Sequence, residues 1–183
     1  HTAKSRARFE AWGLHPKFGQ FWDCRKEPYF AATDRQRAED LQRMIDDPSV
    51  KAILAGRGGY GSVRLLPLVD FSSLRKNPKW IIGFSDITTL HLVMRRLGIE
   101  SIHGPMLTGF HFDQQQENSS VESLRKALFG EMSRIHTKPH PLNRHGVARG
   151  RLAGGNLTMI RPANGTPEAL KTDAPTVLLV EEV

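Results

Sequence analysis

Trp80-Ile81-Ile82-Gly83-Phe84-Ser85-Asp86-Ile87-Thr88-Thr89-Leu90 is the stretch that decides how this chain is read. An apolar strand, Trp80 to Phe84, ends at a turn occupied by a serine. A helix, Asp86 to Leu97, starts at once and is closed by Gly98. A serine at such an elbow stands at the C-terminal edge of a sheet, where open α/β sheets bind ligands. Gly83 leaves room for the sharp turn. The backbone N–H of Asp86 projects from a helix N-terminus and can stabilise a developing oxyanion. The pattern is akin to a nucleophile elbow, with Gly-x-Ser-Asp in place of Gly-x-Ser-x-Gly. The same residues also suit a plainer role, in which Ser85 or Asp86 only caps the helix. On this segment alone the two stand level.

Outward from the elbow, the flanking segments repeat the alternation. Upstream, Thr33 and Gln36 have capping-box spacing, and Ala38, Leu41 and Ile45 share one helical face until Pro48 stops the run. Val50 to Ala55 reads as a short buried strand. It runs into Gly56-Arg57-Gly58-Gly59-Tyr60-Gly61, a loop with four glycines whose N–H groups suit a phosphate or an oxyanion. No Gly-Lys-Ser/Thr follows, so it is not a P-loop, and a tight turn is its bland alternative. Downstream, Ile99 to Ile102 is a third strand leading to His103-Gly104-Pro105. Strand, helix and strand in alternation predict an α/β domain with a mainly parallel sheet. Ala7 to Leu14 reads as the end of a helix with Gly13 near its C-cap, and Ser119 with Glu122 as another capping-box pair before a helix ending near Gly130. Residues 131–147, rich in Pro, His, Asn and Arg, read as a linker. A new unit opens near Ala148 with the turn-rich Gly154-Gly155-Asn156, and the chain closes in an apolar strand, Thr176 to Val183. The expected domains are therefore 1–130, with its first strand missing, and 148–183, incomplete.

Composition narrows the function classes. The chain has 183 residues and a net charge of +7, from 26 basic and 19 acidic side chains. The bases are scattered, so nucleic acid is not an expected partner. No apolar run approaches the ~18–20 residues of a membrane span. The single cysteine, Cys24, permits no internal disulfide and fits a reducing compartment; it reads as an ordinary thiol. His136, His140 and His145 have loose metal-ligand spacing but lie in the Pro-rich stretch with no carboxylate or cysteine beside them; no metal is expected. His91 reads as a packing residue inside the helix.

The motifs taken together carry a resemblance. Arg57-Gly58-Gly59-Tyr60-Gly61, Arg64-Leu65-Leu66-Pro67, Pro78-Lys79, Gly83-Phe84-Ser85-Asp86-Ile87-Thr88, His103-Gly104-Pro105-Met106, Gly154-Gly155-Asn156-Leu157 and Leu178-Leu179-Val180-Glu181-Glu182 occur in this order. From about Thr33 to the last residue, the chain resembles the LD-carboxypeptidase family of serine peptidases. That family includes muropeptide carboxypeptidases and microcin C self-immunity peptidases. The resemblance implies a flavodoxin-like N-terminal α/β domain carrying the nucleophile and a largely β C-terminal domain, truncated here. It implies a Ser-His-Glu triad in chain order Ser, Glu, His. Ser85 matches the nucleophile and Glu181 the acid. Glu182 is the competing position, because strand neighbours face opposite ways. The histidine is expected beyond Val183, so the chain alone is expected to be nearly inactive. Backbone groups of Asp86, Gly58 and Gly59 would form the oxyanion hole. His103 and Asn156 are assigned to substrate, with His103 as general base the smaller reading.

The implied function is a cytoplasmic serine carboxypeptidase of cell-wall recycling. It would hydrolyse the amide between an L-centre and a terminal D-amino acid in muropeptides, without a cofactor. One alternative is an immunity peptidase cutting a peptidyl- or aminoacyl-nucleotide amide. Another is a non-catalytic α/β module that binds an anion. The partner is a small peptide, and a homodimer is expected from the resemblance alone.

Overall fold

A computed structural model describes residues 2–22, 24, 29–111, 120–131, 134–172 and 174–182. Two parallel sheets organise it. In the first, β1 (Ala52–Leu54), β2 (Trp80–Gly83) and β3 (Ile102–His103) lie side by side in chain order. The register pairs Ile53 with Ile81, Ile82 with Ile102, and Gly83 with His103. All three strands therefore deliver their C-terminal ends to one edge. The loop of four glycines, Ser85 and His103 are gathered there.

Successive residues of β2 point to opposite faces, and both faces are covered. Ile81 enters a core with Ala38, Leu41 and Ile45 of α2 (Asp34–Asp46) and Leu90, Val93 and Met94 of α3 (Thr88–Leu97). Ile82 enters the other core. There Phe9 and Trp12, from α1 (Thr2–Ala11) and the turn after it, meet Phe110 and Val121 and Leu124 of α4 (Ser120–Leu128). The result is a three-layer α/β/α body with its sheet buried on both sides.

The capping box of α2 forms as expected. Gln36 N–H donates to Thr33 Oγ1 at 3.3 Å, and Thr33 N–H donates to Gln36 Oε1 at 3.2 Å. At the start of the chain, α1 closes with Gly13 at φ +77°, as the sequence suggested. The expected Ser119–Glu122 box involves Ser119, which lies outside the described residues. One boundary moves. Ile99 to Ile102 was expected as a strand, yet pairing begins only at Ile102. Gly98 is left-handed and caps α3, and the Ile99 N–H returns to the Met94 carbonyl at 2.9 Å. Ile99 is thus spent on closing the helix.

The second sheet pairs β4 (Arg151–Asn156) with β5 (Thr176–Glu181), bridged by α5 (Leu157–Ala163). This corrects the reading of Gly154-Gly155-Asn156 as turn-rich, because these residues are the end of a strand. They are glycine for reasons of space. A Cβ on Gly154 would collide with the Leu179 carbonyl, and one on Gly155 would stand 2.6 Å from Thr88 Oγ1 of α3. Both have φ near the left-handed side, +132° and +136°, which side chains rarely adopt. Residues 134–150 are exposed and form neither helix nor strand. Among the described residues, no helix is long and apolar enough to cross a membrane.

Candidate active site

Ser85 leaves β2 through an extended Phe84 and adopts φ +58°, the only positive φ at a non-glycine residue among those described. A left-handed serine between a strand and a helical turn is a strained elbow of the kind that presents a nucleophile. Ser85 to Ile87 form a 3-10 turn that continues into α3, so the helix axis points at the serine. The elbow is braced from behind by His91. Its Nε2 lies 2.9 Å from the Gly83 carbonyl and its Nδ1 2.9 Å from Ser101 Oγ. A carbonyl only accepts, so Nε2 carries the proton and Nδ1 accepts from the Ser101 hydroxyl. Burial pushes the His91 pKa down to about 4, which keeps the ring neutral. Reading His91 as mere packing missed this brace. Its partners lie eight and ten residues away and no local motif announces them.

The glycine loop lies against the serine. A methyl group on Gly58 would stand 3.7 Å from Ser85 Oγ and 3.1 Å from the Met106 methyl. The backbone N–H groups of Gly58, Gly59 and Asp86 have no acceptor among the described residues. The loop is held at both ends. Thr108 N–H donates to the Gly56 carbonyl at 3.2 Å, and Arg37 of α2 donates to the Gly61 carbonyl at 3.4 Å. The Phe30 ring lies beneath both the Arg37 and Arg64 guanidinium groups, 4.6 and 5.3 Å from its centroid, and Asp34 is ion-paired with both arginines.

The carboxylates arrive from the second sheet. Asn156, at the end of β4, is opposite Glu181 in register. Its N–H donates to Thr88 Oγ1 at 3.0 Å, which docks β4 onto α3. Its Oδ1 accepts from Met159 N–H and caps α5, and its Nδ2 donates to Glu181 Oε2 at 3.3 Å. The Asn156 side chain is thus occupied in holding the carboxylate strand. Glu182 receives the Thr158 N–H at 2.9 Å and hydroxyl at 2.7 Å, at the start of α5. Glu181 is half-buried, and its charge reaches His103.

His103 packs beside Phe84 and His91, with ring centroids 6.2 and 5.9 Å apart. Desolvation lowers its pKa, and the Glu181 charge partly opposes this. No histidine hydrogen-bonds the Ser85 hydroxyl among the described residues. Nor do three or more His, Cys, Asp or Glu side chains among them converge as metal ligands. A cavity of about 310 Å³ lies at the opposite end of α3, lined by Val69, Phe71, Arg75, Arg96 and Leu97, away from this chemistry.

The chain is similar in sequence and fold to known proteins. The profile of the LD-carboxypeptidase N-terminal domain matches residues 1–104. The murein tetrapeptide carboxypeptidase of Pseudomonas aeruginosa is 34% identical over 187 residues, an alignment covering 96% of this chain and 59% of that protein. A crystal structure of an MccF-like protein from Bacillus anthracis superposes with a TM-score of 0.82 at 25% identity, covering 98% of this chain and 61% of that one. A muramoyltetrapeptide carboxypeptidase from Oxalobacter formigenes gives 0.77 at 27% identity, covering 98% and 60%. Two further curated relatives are matched over 50% of their length, so the chain spans about half of such proteins. The domain profile accounts for more than half of the sequence, and the chain belongs to the LD-carboxypeptidase family.

Proposed function

We propose that this chain carries the nucleophile and the triad acid of a serine peptidase that removes a terminal D-amino acid from a muropeptide. The observation that carries the reading is the left-handed Ser85 with Gly58 packed against it, the N–H groups of Gly58, Gly59 and Asp86 being unengaged among the described residues. In the proposed reaction, Ser85 Oγ attacks the carbonyl between the L-centre and the D-residue and gives its proton to a histidine base. The tetrahedral oxyanion takes hydrogen bonds from those backbone donors. Collapse breaks the C–N bond, and the base returns the proton to the departing amine. Water then attacks the acyl-serine ester by the same path in reverse roles.

Glu181 is the residue proposed to orient the base. Asn156 Nδ2 donates to both carboxylates, but Glu182 also takes the Thr158 N–H and hydroxyl, whereas Glu181 lies within electrostatic reach of the elbow's histidine neighbour. The base is assigned to a histidine outside these 183 residues, as the family pattern implies. The relatives named for murein peptides support the substrate class. The MccF-like neighbour supports the alternative, in which the same elbow cleaves an aminoacyl-nucleotide amide.

The test is made on the full-length protein. A murein tetrapeptide ending in D-alanine should release D-alanine, followed by mass spectrometry. Ser85→Ala should lower the rate by about 10⁴-fold or more with the fold intact. Release undiminished in that variant would remove Ser85 from the role of nucleophile. A folded protein that spares the tetrapeptide and cleaves an aminoacyl-sulfamoyl nucleotide would transfer the reading to the nucleotide amide.

A further inference from the structure

The side chain of Asp86 has no part in the reaction proposed above, which uses only its backbone N–H. Yet it is a carboxylate buried to 5% exposure, one residue after the nucleophile. It turns away from the serine and back toward the glycine loop. Its Oδ2 accepts two hydrogen bonds from a single residue, Ser62, at 2.9 Å from the backbone N–H and 2.7 Å from the hydroxyl. Ser62 is itself buried and directly follows Gly61. The other carboxylate oxygen, Oδ1, is buried without a hydrogen-bond partner. A polar group kept in so enclosed a place costs stability unless it is well hydrogen-bonded. What it secures is the distance between two pieces of backbone.

We propose that Asp86 and Ser62 form a clasp that fixes the glycine loop against the nucleophile elbow, making the Asp86 side chain a positioning residue for the oxyanion donors. The proposal rests on the reading of Ser85 as nucleophile. Its physical basis is that the donors come from two separate segments. Asp86 N–H belongs to the elbow, and Gly58 and Gly59 belong to a loop with no ladder of its own. Hydrogen-bond donors act on a transition state only when held within a few tenths of an ångström of the oxyanion. Arg37 holds the outer side of the loop through the Gly61 carbonyl, and Thr108 holds its first residue. Among the described residues, only the Asp86–Ser62 pair joins the end of the loop to the elbow by hydrogen bonds. A pair of bonds to one oxygen, at 2.9 and 2.7 Å, suits that purpose, because it is short and directional.

The test uses full-length protein, with hydrolysis of the tetrapeptide and covalent labelling of Ser85 by a fluorophosphonate as separate readouts. Rates are normalised to correctly folded protein. Asp86→Ala should lower kcat by about 100-fold, the cost of a displaced oxyanion donor, with KM within about 3-fold. The labelling rate should fall in parallel. Ser62→Ala keeps the backbone N–H and should lose about 10-fold, half of that effect on a logarithmic scale. Asp86→Asn keeps an acceptor oxygen toward Ser62 and should lose less than about 10-fold, a partial rescue that a role in folding alone would not produce. The double variant should lose no more than Asp86→Ala, because the two residues act as one unit. Should Asp86→Ala fail to fold, Ser62→Ala and Asp86→Asn decide the matter. The clasp is overturned if folded Ser62→Ala and Asp86→Ala keep kcat and labelling within about 2-fold, whatever happens to their melting temperatures. Ser85→Ala separates this from the underlying reading. If that variant still turns over, the nucleophile reading falls and the clasp with it. If it is dead and the clasp variants are unaffected, the clasp alone falls.

Discussion

The two sheets contribute to the same edge of the molecule and are built on different terms. The first sheet is covered on both faces. Ile81 and Ile82 are 3% and 2% exposed, and the elbow that follows inherits its position from that packing. The second sheet is open. Leu152 is 68% exposed and Leu178 56%, and its carboxylate end is located mainly by what it touches on α3. At that end Gly155 lies against Thr88, and the next residue donates its N–H to the same threonine, while at the other end of α3 Arg95 donates to the Lys171 carbonyl and Arg96 pairs with Glu168. The serine is therefore held by a core, while Glu181 is held by a joint. The joint is the place where a single substitution should separate the nucleophile from its acid.

Gly155→Val tests this most severely. The added Cβ would meet Thr88 Oγ1 at 2.6 Å, and a β-branched residue is strained at φ +136°. Overpacking and backbone strain together should cost about 3–5 kcal/mol if the joint stays closed. The alternative is that β4 lifts away from α3 and the strain is relieved. In the full-length protein, the second outcome should abolish peptide turnover while the first domain keeps its α/β circular dichroism. Wild-type turnover in this variant would show that the acid does not depend on the joint.

The contrast also explains what could be read from the sequence. The elbow was legible because three local signals agree between Trp80 and Gly98: an apolar run, a serine at its end and a helical pattern closed by glycine. The capping box of α2 was legible for the same reason. Gly154-Gly155 was misread because glycine ordinarily interrupts strands. Its cause is the Leu179 carbonyl and Thr88, residues 25 and 67 positions away in the chain, which no window of sequence contains. Ser62 and His91 were invisible in the same sense. Each looks like filler where it stands, and each acquires its meaning from a partner brought in by the fold. The family motifs supplied Glu181 and Asn156, but only the register of β4 with β5 shows why an asparagine precedes α5.

His91 offers a quieter way to probe the covered side. Its pKa is about 4 in the folded protein against an ordinary value of 6.5, with burial as the main cause and the nearby His103 charge in the same direction. Between those values the unfolded chain binds a proton that the folded one refuses. Stability from this group is complete above pH 6.5 and declines as the pH falls toward 4. From pH 7.5 to pH 5 the loss should be about 2 kcal/mol. Denaturant unfolding at the two pH values measures it, and His91→Gln should lack this share of the acid sensitivity. An unchanged pH slope in the variant would mean that His91 titrates normally.

The smallest effect is expected where the first body reaches out to the glycine loop. Thr33 caps α2, and the first turn of that helix carries Asp34 and Arg37, which grip Arg64 and the Gly61 carbonyl. Thr33→Ala removes one side of the capping box and should cost about 1 kcal/mol of stability, seen as a shift in the denaturant midpoint. Turnover of this variant alone does not separate two views of the loop. If Arg37 is the main restraint, fraying of this turn should lower kcat in proportion to the time the turn spends open, which is a few per cent or less and invisible in the rate. If the restraint on the inner side comes from the elbow, the rate is again unmoved, and only the combination of Thr33→Ala with Arg37→Ala can tell the views apart. A combined loss of kcat below about 3-fold would leave the loop's alignment to contacts on the Ser85 side, whereas a loss near 100-fold would assign it to α2.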